Sequence, residues 1–402
     1  MTYSALQPLA IAASTLVTAV GHGAAATLAA LRDRRGGLTP CDFEPDDNQQ
    51  RGHIGRVSDV ERHGLPIPLT RFDCRNNRLA DLALATDGFD YAVERAKTRY
   101  GADRIGVVLG TSTSGVLSCE NAYRDRHPNT GALPKSFDFL HTHDMFSLAD
   151  FVGARLGLRG PAMVISSACA SSALSLVDAF RLIAAGVCDA VVAGGADSLC
   201  QMTLHGFSAL GLISELPCRP CDVSRDGISI GEAAGFVLLE RAEPGDQRLA
   251  LLGYGASSDG HHMSAPHPEG AGAIAAMRQA LARAGLSPDA IDYVNLHGTG
   301  TPANDAIEDL AVFETFGGKV PCSSTKGWTG HTLGAAGVMD AIVSTLCIEH
   351  GILPGCLNVT TIDSAFRGNV LDANIDRKIR TVVSNSFGFG GVNCSLVLGA
   401  IA

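Results

Sequence analysis

The chain carries little charge and has no excess of positive residues. Only 18% of its 402 residues are charged, and 41 acidic against 31 basic residues leave a formal net charge of −10. This balance argues against a nucleic-acid-binding surface, so an acidic partner would need a local basic patch. Low charge combined with 46 glycines is typical of a compact α/β enzyme rich in tight turns, and not of a disordered chain.

Long apolar runs are scarce as well. Only the Ala-rich stretch 9–31 suggests a signal peptide or a membrane span, and no Lys or Arg precedes it. A signal peptide needs a basic start, and a span would not carry Gly21-His22-Gly23 near its middle. We therefore expect a strand, a turn and a helix in this stretch. No other run approaches the ~20 apolar residues of a spanning helix, so we expect no membrane span.

The twelve cysteines lack the spacing of a disulfide framework. They are scattered through a large chain, and several lie in apolar runs, such as Cys188, Cys347 and Cys394. Reduced thiols in a cytoplasmic protein are therefore expected. Cys218 and Cys221 form a lone Cys-x-x-Cys pair, a spacing shared with redox and zinc sites, but no second pair lies at zinc-ligand spacing.

Strand-length apolar runs alternate with helical segments in two rounds, which predicts an α/β fold. The first round has strands at 105–110, 190–195 and 234–240, and a turn-rich linker follows at 241–246. The second round has predicted strands at 250–256, 291–296, 378–384 and 394–399, and helices at 271–284, 303–316 and 335–349. The similar order indicates an internal duplication. We predict an N-terminal half of residues 1–245 and a C-terminal half of residues 246–402.

One cysteine lies where an apolar strand-like run meets a helix-forming run. Cys169 follows the run 161–165 and precedes a predicted helix at 170–185. The first N–H groups of a helix have no intrahelical acceptor, and the helix dipole favours thiolate over thiol. We therefore predict an activated nucleophile. A cysteine among Ala and Ser is more often a small buried hydrophobe, so this position alone leaves both interpretations open.

Two later segments each place a histidine in a Gly/Thr-rich loop. His297 opens the loop 297–302 after a strand-like run, and His331 lies in the loop 326–337 before a helix. Together with Cys169, these segments resemble the β-ketoacyl-[acyl-carrier-protein] synthases of the Cys-His-His type, the elongating enzymes of fatty-acid and polyketide synthesis. Further segments match in chain order at 218–222, 225–227, 231–232, 262–266 and 385–393.

The resemblance implies a fold and partners. Members have the thiolase fold, in which two α/β halves form a five-layer α-β-α-β-α sandwich with the active site between them. They dimerise through the half that carries the nucleophile, so we expect a homodimer or a heterodimer with a homologous ketosynthase. The acyl carrier protein, which presents phosphopantetheine thioesters, is the expected partner. No metal and no cofactor is implied.

The resemblance also implies the roles of the catalytic residues. Cys169 would hold an acyl group as a thioester, with an oxyanion hole formed by the backbone N–H groups of Cys169 and Phe389. His297 and His331 would donate hydrogen bonds to the enolate that forms when malonyl-ACP loses CO2. The products would be 3-oxoacyl-ACP and CO2, in fatty-acid, polyene or polyketide elongation. Phe389 also resembles the phenylalanine that moves when the acyl chain enters.

Four further residues receive supporting roles from the resemblance. Lys326 would support the histidines electrostatically, and Glu308 resembles the acid that pairs with it. Thr299 and Thr301 would face the malonyl thioester or the pantetheine arm, although hydroxyls in such loops also serve as turn caps.

Several residues depart from the family pattern. Cys221 and Ile228 stand where relatives commonly have phenylalanine, and Ala233 replaces a glycine. Smaller side chains in these positions would leave room for a longer or bent acyl chain, unless neighbouring side chains fill the space. Two groups offer metal-ligand types, but we expect no metal at either of them: His141, His143 and Asp144, and His261, His262 and His267.

Arginine clusters are candidates for docking an acidic carrier protein. One cluster comprises Arg71, Arg75 and Arg78 at about helical spacing, and the other Arg124 and Arg126. A solvated charged face is the alternative interpretation.

Other functions compete with condensation. The main alternative is a non-elongating scaffold or chain-length partner subunit of a ketosynthase heterodimer, which shares the fold but lacks the nucleophile present here as Cys169. A thiolase would carry a second catalytic cysteine near the end in a Cys-x-Gly context, whereas Ser395 and Leu396 follow Cys394. An initiating synthase would have asparagine in place of His331. A cysteine hydrolase offers no reason for a second histidine or for Lys326.

Overall fold

The computed structural model describes residues 6–43 and 52–401, which form seventeen strands and eleven α-helices. The strands are β1 Leu9–Thr18, β2 Gly21–His22, β3 Leu38–Pro40, β4 His53–Gly55, β5 Ile105–Gly110, β6 Ala162–Ile165, β7 Ala190–Asp197, β8 Ile230–Gly231, β9 Ala233–Arg241, β10 Leu249–Ser258, β11 Tyr293–Asn295, β12 Pro321–Ser323, β13 Ile352–Leu353, β14 Asn369–Val370, β15 Ile375–Asp376, β16 Thr381–Gly388 and β17 Val392–Ala400. The helices are α1 Ala24–Arg32, α2 Arg75–Leu84, α3 Phe89–Tyr100, α4 Val116–Arg124, α5 Ser147–Leu156, α6 Ser171–Ala184, α7 Gln201–Ala209, α8 Ala271–Ala284, α9 Pro302–Phe316, α10 Lys326–Thr329 and α11 Ala336–His350.

The main sheet repeats one strand arrangement twice. Its first half has the order β1-β9-β7-β5-β6, in which the first three strands run antiparallel and the last three parallel. The second half, β10-β17-β16-β11-β12, has the same pattern of directions. Pairing of β1 with β10 at Leu9 and Leu251 joins the halves. This repeat confirms the predicted α/β fold with duplicated halves, whereas the boundary at residue 245 stays a prediction.

Helices form layers on both sides of each half-sheet. The central helices α6 and α11 pack against each other, and each contacts strands of both halves. On the outer faces, α2, α3 and α5 cover the first half and α8 covers the second, with α9 against α8. The succession from one outer face to the other is helix, sheet, helix, sheet, helix, which is the expected five-layer sandwich.

The position of α11 explains its composition. The segment 333–350 has the length and the mean hydropathy, 1.2, of a membrane span, yet 83% of it is buried inside the protein. A helix between two sheets needs apolar residues on every side, because each face contacts other elements. The sequence analysis expected no run besides 9–31 to be long and apolar enough to span a membrane. That expectation is wrong for the segment 333–350, which is a buried core helix.

Most predicted elements are present at the predicted places. The stretch 9–31 forms β1, a short hairpin with β2, and α1, and the helix predicted at 271–284 is α8. The largest shift affects the strand predicted at 378–384, which is observed as β16, Thr381–Gly388. Residues 385–388, Asn-Ser-Phe-Gly, hold a single apolar side chain and lack a strand pattern, but they pair with β17 throughout. Tertiary pairing extends the strand beyond its apolar part.

A buried ion pair connects α2 to the start of β9. The Glu232 carboxylate accepts hydrogen bonds from Nε and Nη2 of Arg75 at 2.7 and 2.6 Å, and from the backbone N–H groups of Val57 and Leu199. Glu232 is fully buried, and the side chain of Arg75 is 8% exposed. Arg75 is therefore not a docking residue.

The remaining arginines of the docking hypothesis differ in their contacts. Arg78 is paired with Asp73, and the guanidinium of Arg71 lies over the Phe72 ring. The docking hypothesis therefore rests on Arg71 and on the exposed pair Arg124 and Arg126 near the end of α4.

We predict that Glu232→Ala strongly destabilises the protein, because it leaves the Arg75 guanidinium buried without its main partner. The expected loss in the free energy of unfolding is ~3–5 kcal/mol. The exposed pair Arg159 and Asp103 provides a control, since Asp103→Ala removes a solvent-screened ion pair and is expected to leave the free energy of unfolding nearly unchanged. Urea denaturation of both variants measures the difference, and equal losses would contradict the prediction.

Candidate active site

Cys169 lies in a tight turn between β6 and α6. Ala168, directly before it, has φ of +46°, a left-handed conformation that is rare for a residue with a side chain. The Ser171 hydroxyl holds the turn, since it accepts from the N–H of Ser167 at 2.8 Å and donates to the Ala168 carbonyl at 2.6 Å. Gly388 packs against this turn, where a Cβ would lie 3.0 Å from the Ser167 carbonyl oxygen. The turn therefore fixes the direction of the thiol.

The two predicted histidines meet Cys169 from the second half of the chain. His331 Nε2 lies 2.9 Å from Cys169 Sγ, and the ring centroids of His297 and His331 are 5.2 Å apart at an interplanar angle of 82°. Ligand-type atoms of the three residues all lie within 4.8 Å of one another, and all three are buried. The structure therefore brings together the three residues that the motifs single out.

Burial keeps all three groups neutral. It raises the pKa of the Cys169 thiol to about 11, although the positive charge of Lys326 and the backbone N–H of Phe389 oppose this rise. Burial first, and the Lys326 charge second, hold the pKa values of His297 and His331 well below the usual range. The resting site therefore contains a thiol and two uncharged imidazoles.

The prediction that the helix terminus lowers the thiol pKa is wrong. The helix begins at Ser171, two residues beyond the nucleophile, and Cys169 is only 6% exposed. Loss of hydration outweighs the helix dipole in such a site, because a dipole at the end of a helix acts only over its first turn. His331 Nε2, 2.9 Å from Sγ, is within reach of the thiol proton.

A second buried ion pair lies behind the histidines. Lys326 Nζ donates to Asp340 Oδ2 at 3.0 Å, and both side chains are completely buried. Thr325 donates to the other carboxylate oxygen at 3.0 Å. Burial raises the pKa of Asp340, while the Lys326 charge opposes that rise. The prediction that Glu308 pairs with Lys326 is wrong. The sequence did contain an indication that Asp340 is buried with a charged partner, because it is the only charged residue in the apolar run 333–347.

Glu308 instead holds the loop that carries His297. Its carboxylate accepts the backbone N–H groups of His297 and Gly298 at 2.8 and 2.7 Å, and the Asn385 side-chain amide at 3.2 Å. Burial raises the pKa of Glu308 to about 7, although these hydrogen bonds oppose the rise. Glu308 therefore acts on the backbone of the His297 loop.

A cavity of about 250 Å³ opens onto the three residues. Its surface is mostly apolar, and its lining includes Cys169, Phe207, Ile228, Thr299, Thr301 and Phe389. The hydroxyls of Thr299 and Thr301 are 2.9 Å apart. Thr301 is the N-cap residue of α9, but its side chain makes no cap bond, so the alternative of a turn cap is not observed for it. Phe389 stacks on Phe207, with ring centroids 5.6 Å apart.

The departures from the family pattern fall in different places. Ile228 lines the cavity, as expected for a residue that shapes the acyl pocket. Cys221 does not line it, because it belongs to the core cluster around Val294, and Ala233 is buried at the start of β9. The expectation that Cys221 and Ala233 reshape the pocket is therefore wrong.

In residues 6–43 and 52–401, no cysteine or histidine cluster outside the site brings three ligand atoms close enough together to share a metal ion. Within these ranges the active-site trio is the only group of three ligand atoms close enough to share an ion. His141 pairs with Asp138, and His261 packs edge-on against His267. No cysteine of the described residues is in a disulfide, and Cys218 Sγ donates to the Lys326 carbonyl at 3.1 Å.

Comparison with protein families identifies the group to which this site belongs. The family model of the β-ketoacyl synthase N-terminal domain matches residues 7–245, and that of the C-terminal domain matches residues 249–360. The chain belongs to the β-ketoacyl synthase family. This family contains acyltransferases named 3-oxoacyl-[acyl-carrier-protein] synthases.

Individual relatives of this β-ketoacyl synthase cover most of the chain. The mitochondrial 3-oxoacyl-[acyl-carrier-protein] synthase of Arabidopsis thaliana is 42% identical in an alignment of length 346 that covers 80% of this chain and 73% of the relative. The 3-oxoacyl-[acyl-carrier-protein] synthase 1 of Escherichia coli K12 is 33% identical in an alignment of length 408, gaps included, that covers 95% of this chain and 96% of the relative. The ketosynthase ApeO of Xenorhabdus doucetiae, solved with its chain length factor ApeC, is 37% identical with a TM-score of 0.89 over 98% of both chains. The thiolase fold is therefore confirmed.

We predict a steep pH dependence for alkylation of Cys169. Because its pKa is raised to about 11, the thiolate fraction grows with pH, and the rate with iodoacetamide should rise about tenfold per pH unit from pH 7 to pH 10. Peptide mass spectrometry measures the rate, and Cys169→Ser identifies labelling at other thiols. A rate that is constant above pH 7 would indicate a thiol pKa below 7 and contradict the burial argument.

Proposed function

We propose that this β-ketoacyl synthase condenses malonyl-ACP, with loss of CO2, with an acyl group held on Cys169, and so forms 3-oxoacyl-ACP. The observation that carries the proposal is the contact of 2.9 Å between Cys169 Sγ and His331 Nε2, with His297 beside it at the end of an apolar cavity. The names of its relatives, 3-oxoacyl-[acyl-carrier-protein] synthases, support the same reaction.

In the first half-reaction Cys169 accepts the acyl group from its carrier. His331 Nε2 takes the thiol proton as Sγ attacks the thioester carbonyl carbon, and the carrier thiol then leaves with a proton. The backbone N–H groups of Cys169 and Phe389 stabilise the tetrahedral oxyanion, which fits their hydrogen-bonding effect on the Cys169 thiol. The first carrier departs, and the acyl chain stays as a thioester.

In the second half-reaction malonyl-ACP enters the same cavity. Loss of CO2 leaves an enolate, whose thioester oxygen accepts hydrogen bonds from ring N–H groups of His297 and His331; His331 donates from Nε2, so its single ring proton is on Nε2 in this half-reaction and on Nδ1 in the first. The enolate carbon bonds to the acyl carbonyl carbon, the bond to Cys169 Sγ breaks, and the thiolate that leaves takes a proton from solvent to restore the resting thiol. Neutral imidazoles serve as donors here, and burial, reinforced by the Lys326 charge, keeps them neutral by lowering their pKa values. Thr299 and Thr301 would contact the malonyl thioester or the pantetheine arm, and their position in the lining of the cavity supports this role.

The acyl carrier protein and a second ketosynthase chain are the partners we propose. Among residues 6–43 and 52–401, strand β6 is the last strand of the main sheet and pairs with β5 alone, while Met163 within it is exposed. Unpaired edges of this kind favour addition of a strand from another chain. The Xenorhabdus doucetiae ketosynthase is complexed with a chain length factor. This supports a heterodimer as an alternative to a homodimer.

We place the reaction in the cytoplasm, since thiols without disulfides suit a reducing compartment.

We predict that single substitutions separate the two half-reactions. Cys169→Ala should form no acyl adduct from acyl-ACP, because it lacks the nucleophile. His297→Ala should still form the adduct, but it should release CO2 from malonyl-ACP at least ~100-fold more slowly because one enolate donor is lost. Intact-protein mass spectrometry measures the adduct, and labelled malonyl-ACP measures CO2.

The same experiment tests the alternative of a non-elongating partner subunit. Such a subunit would show no adduct in the wild-type protein with any acyl-ACP, whether alone or with a homologous ketosynthase. An adduct in wild type that persists in Cys169→Ala would contradict the assignment of the nucleophile.

A further inference from the structure

The short helix α7 lies beside the cavity with little packing of its own. Of its residues Gln201 to Ala209, only Gln201 and Leu204 are buried. Its N-cap residue, Cys200, makes no side-chain cap bond. The first N–H groups of a helix need an acceptor, and a weakly packed helix depends more than others on such a cap.

Glu120, on the separate helix α4, supplies the missing acceptors. Its Oε2 accepts the N–H of Gln201 at 3.0 Å, and its Oε1 accepts the N–H of Met202 at 2.7 Å. Both carboxylate oxygens are therefore used, and the negative charge lies at the positive end of the α7 dipole. Glu120 is separated by 81 residues from Gln201, so the contact joins two distant parts of the chain.

Helix α7 in turn carries an aromatic ring to the reacting groups. Phe207 is six positions after Gln201, and its ring stacks on Phe389 with centroids 5.6 Å apart and an interplanar angle of 38°. Both rings line the cavity that contains Cys169. The backbone N–H of Phe389 contacts the Cys169 thiol. One continuous series of contacts thus runs from Glu120 through α7 and Phe207 to the residue beside the nucleophile.

We propose that Glu120 is a positioning residue that, by capping α7, holds Phe207 against Phe389 and thereby sets the rate at which Cys169 is acylated. The inference rests on the proposed function, because acylation of Cys169 is the step it concerns. Glu120 touches neither substrate nor the reacting atoms in this scheme. Its effect is transmitted through the position of a helix.

The first test is the substitution Glu120→Gln, which keeps the size of the side chain. An amide has one acceptor oxygen, and its NH2 group would face the second backbone N–H, so half of the cap is lost. We expect the acylation rate constant of Cys169 with acyl-ACP to fall by ~3- to 10-fold at nearly unchanged Tm. Glu120→Asp keeps the charge and both acceptors, and it should retain more of the rate than Gln does. Glu94→Gln, an exposed acid paired with Lys97 on α3, is the matched control and should react like wild type.

A double-mutant cycle separates positioning from a general structural role. If Glu120 acts through Phe207, then Glu120→Gln should have little further effect in a Phe207→Leu background, since the ring it positions is gone. Equal losses in both backgrounds would overturn the inference, and so would an unchanged rate in Glu120→Gln. Lack of an adduct in wild type would instead overturn the proposed function, and this inference with it. If Glu120→Gln does not fold, the same cycle is measured with Glu120→Asp.

Discussion

The active site depends on one ion pair buried between the two halves of the protein. Lys326 and Asp340 are completely buried, and a lone charge in that place would cost several kcal/mol. Asp340 lies on α11, which packs between both half-sheets, so the ion pair is buried in the central layer. His331, from the same half, meets Cys169 of the other half at 2.9 Å. The site is therefore complete only when the two halves are packed together.

The same burial decides how the chemistry is performed. A buried thiol with its pKa raised to about 11 cannot act as a preformed thiolate at neutral pH. It needs a base in contact, and a neutral imidazole at 2.9 Å provides one. The Lys326 charge favours neutral histidines, and a neutral ring keeps one N–H to donate to the enolate. Glu308, which accepts a hydrogen bond from Asn385, holds the backbone of the His297 loop, so the donor on that loop is in place before the substrate arrives.

Sequence patterns predicted the parts of this site that short motifs encode. Cys169, His297 and His331 stand in Gly/Thr- or Ala/Ser-rich turns, and the alternation of strands and helices predicted the doubled fold. Properties that depend on burial in the folded protein could not be predicted from these motifs. The raised pKa of Cys169 comes from loss of water around it. The resemblance to the family assigned Glu308 as the partner of Lys326, and no local motif reveals that Asp340 is the acid that faces the lysine. Cys221 and Ile228 are close in sequence but face different cores.

The most direct test of this account is the charge of His297 and His331, measured by NMR of ¹⁵N-labelled imidazoles with His297→Gln and His331→Gln for assignment. The account predicts that both rings stay neutral from pH 8 to pH 5.5, because burial and the Lys326 charge hold their pKa values well below the usual range. Protonation of either ring with a midpoint near pH 6.5 would show a hydrated site without the influence of a buried cation, and it would contradict the account.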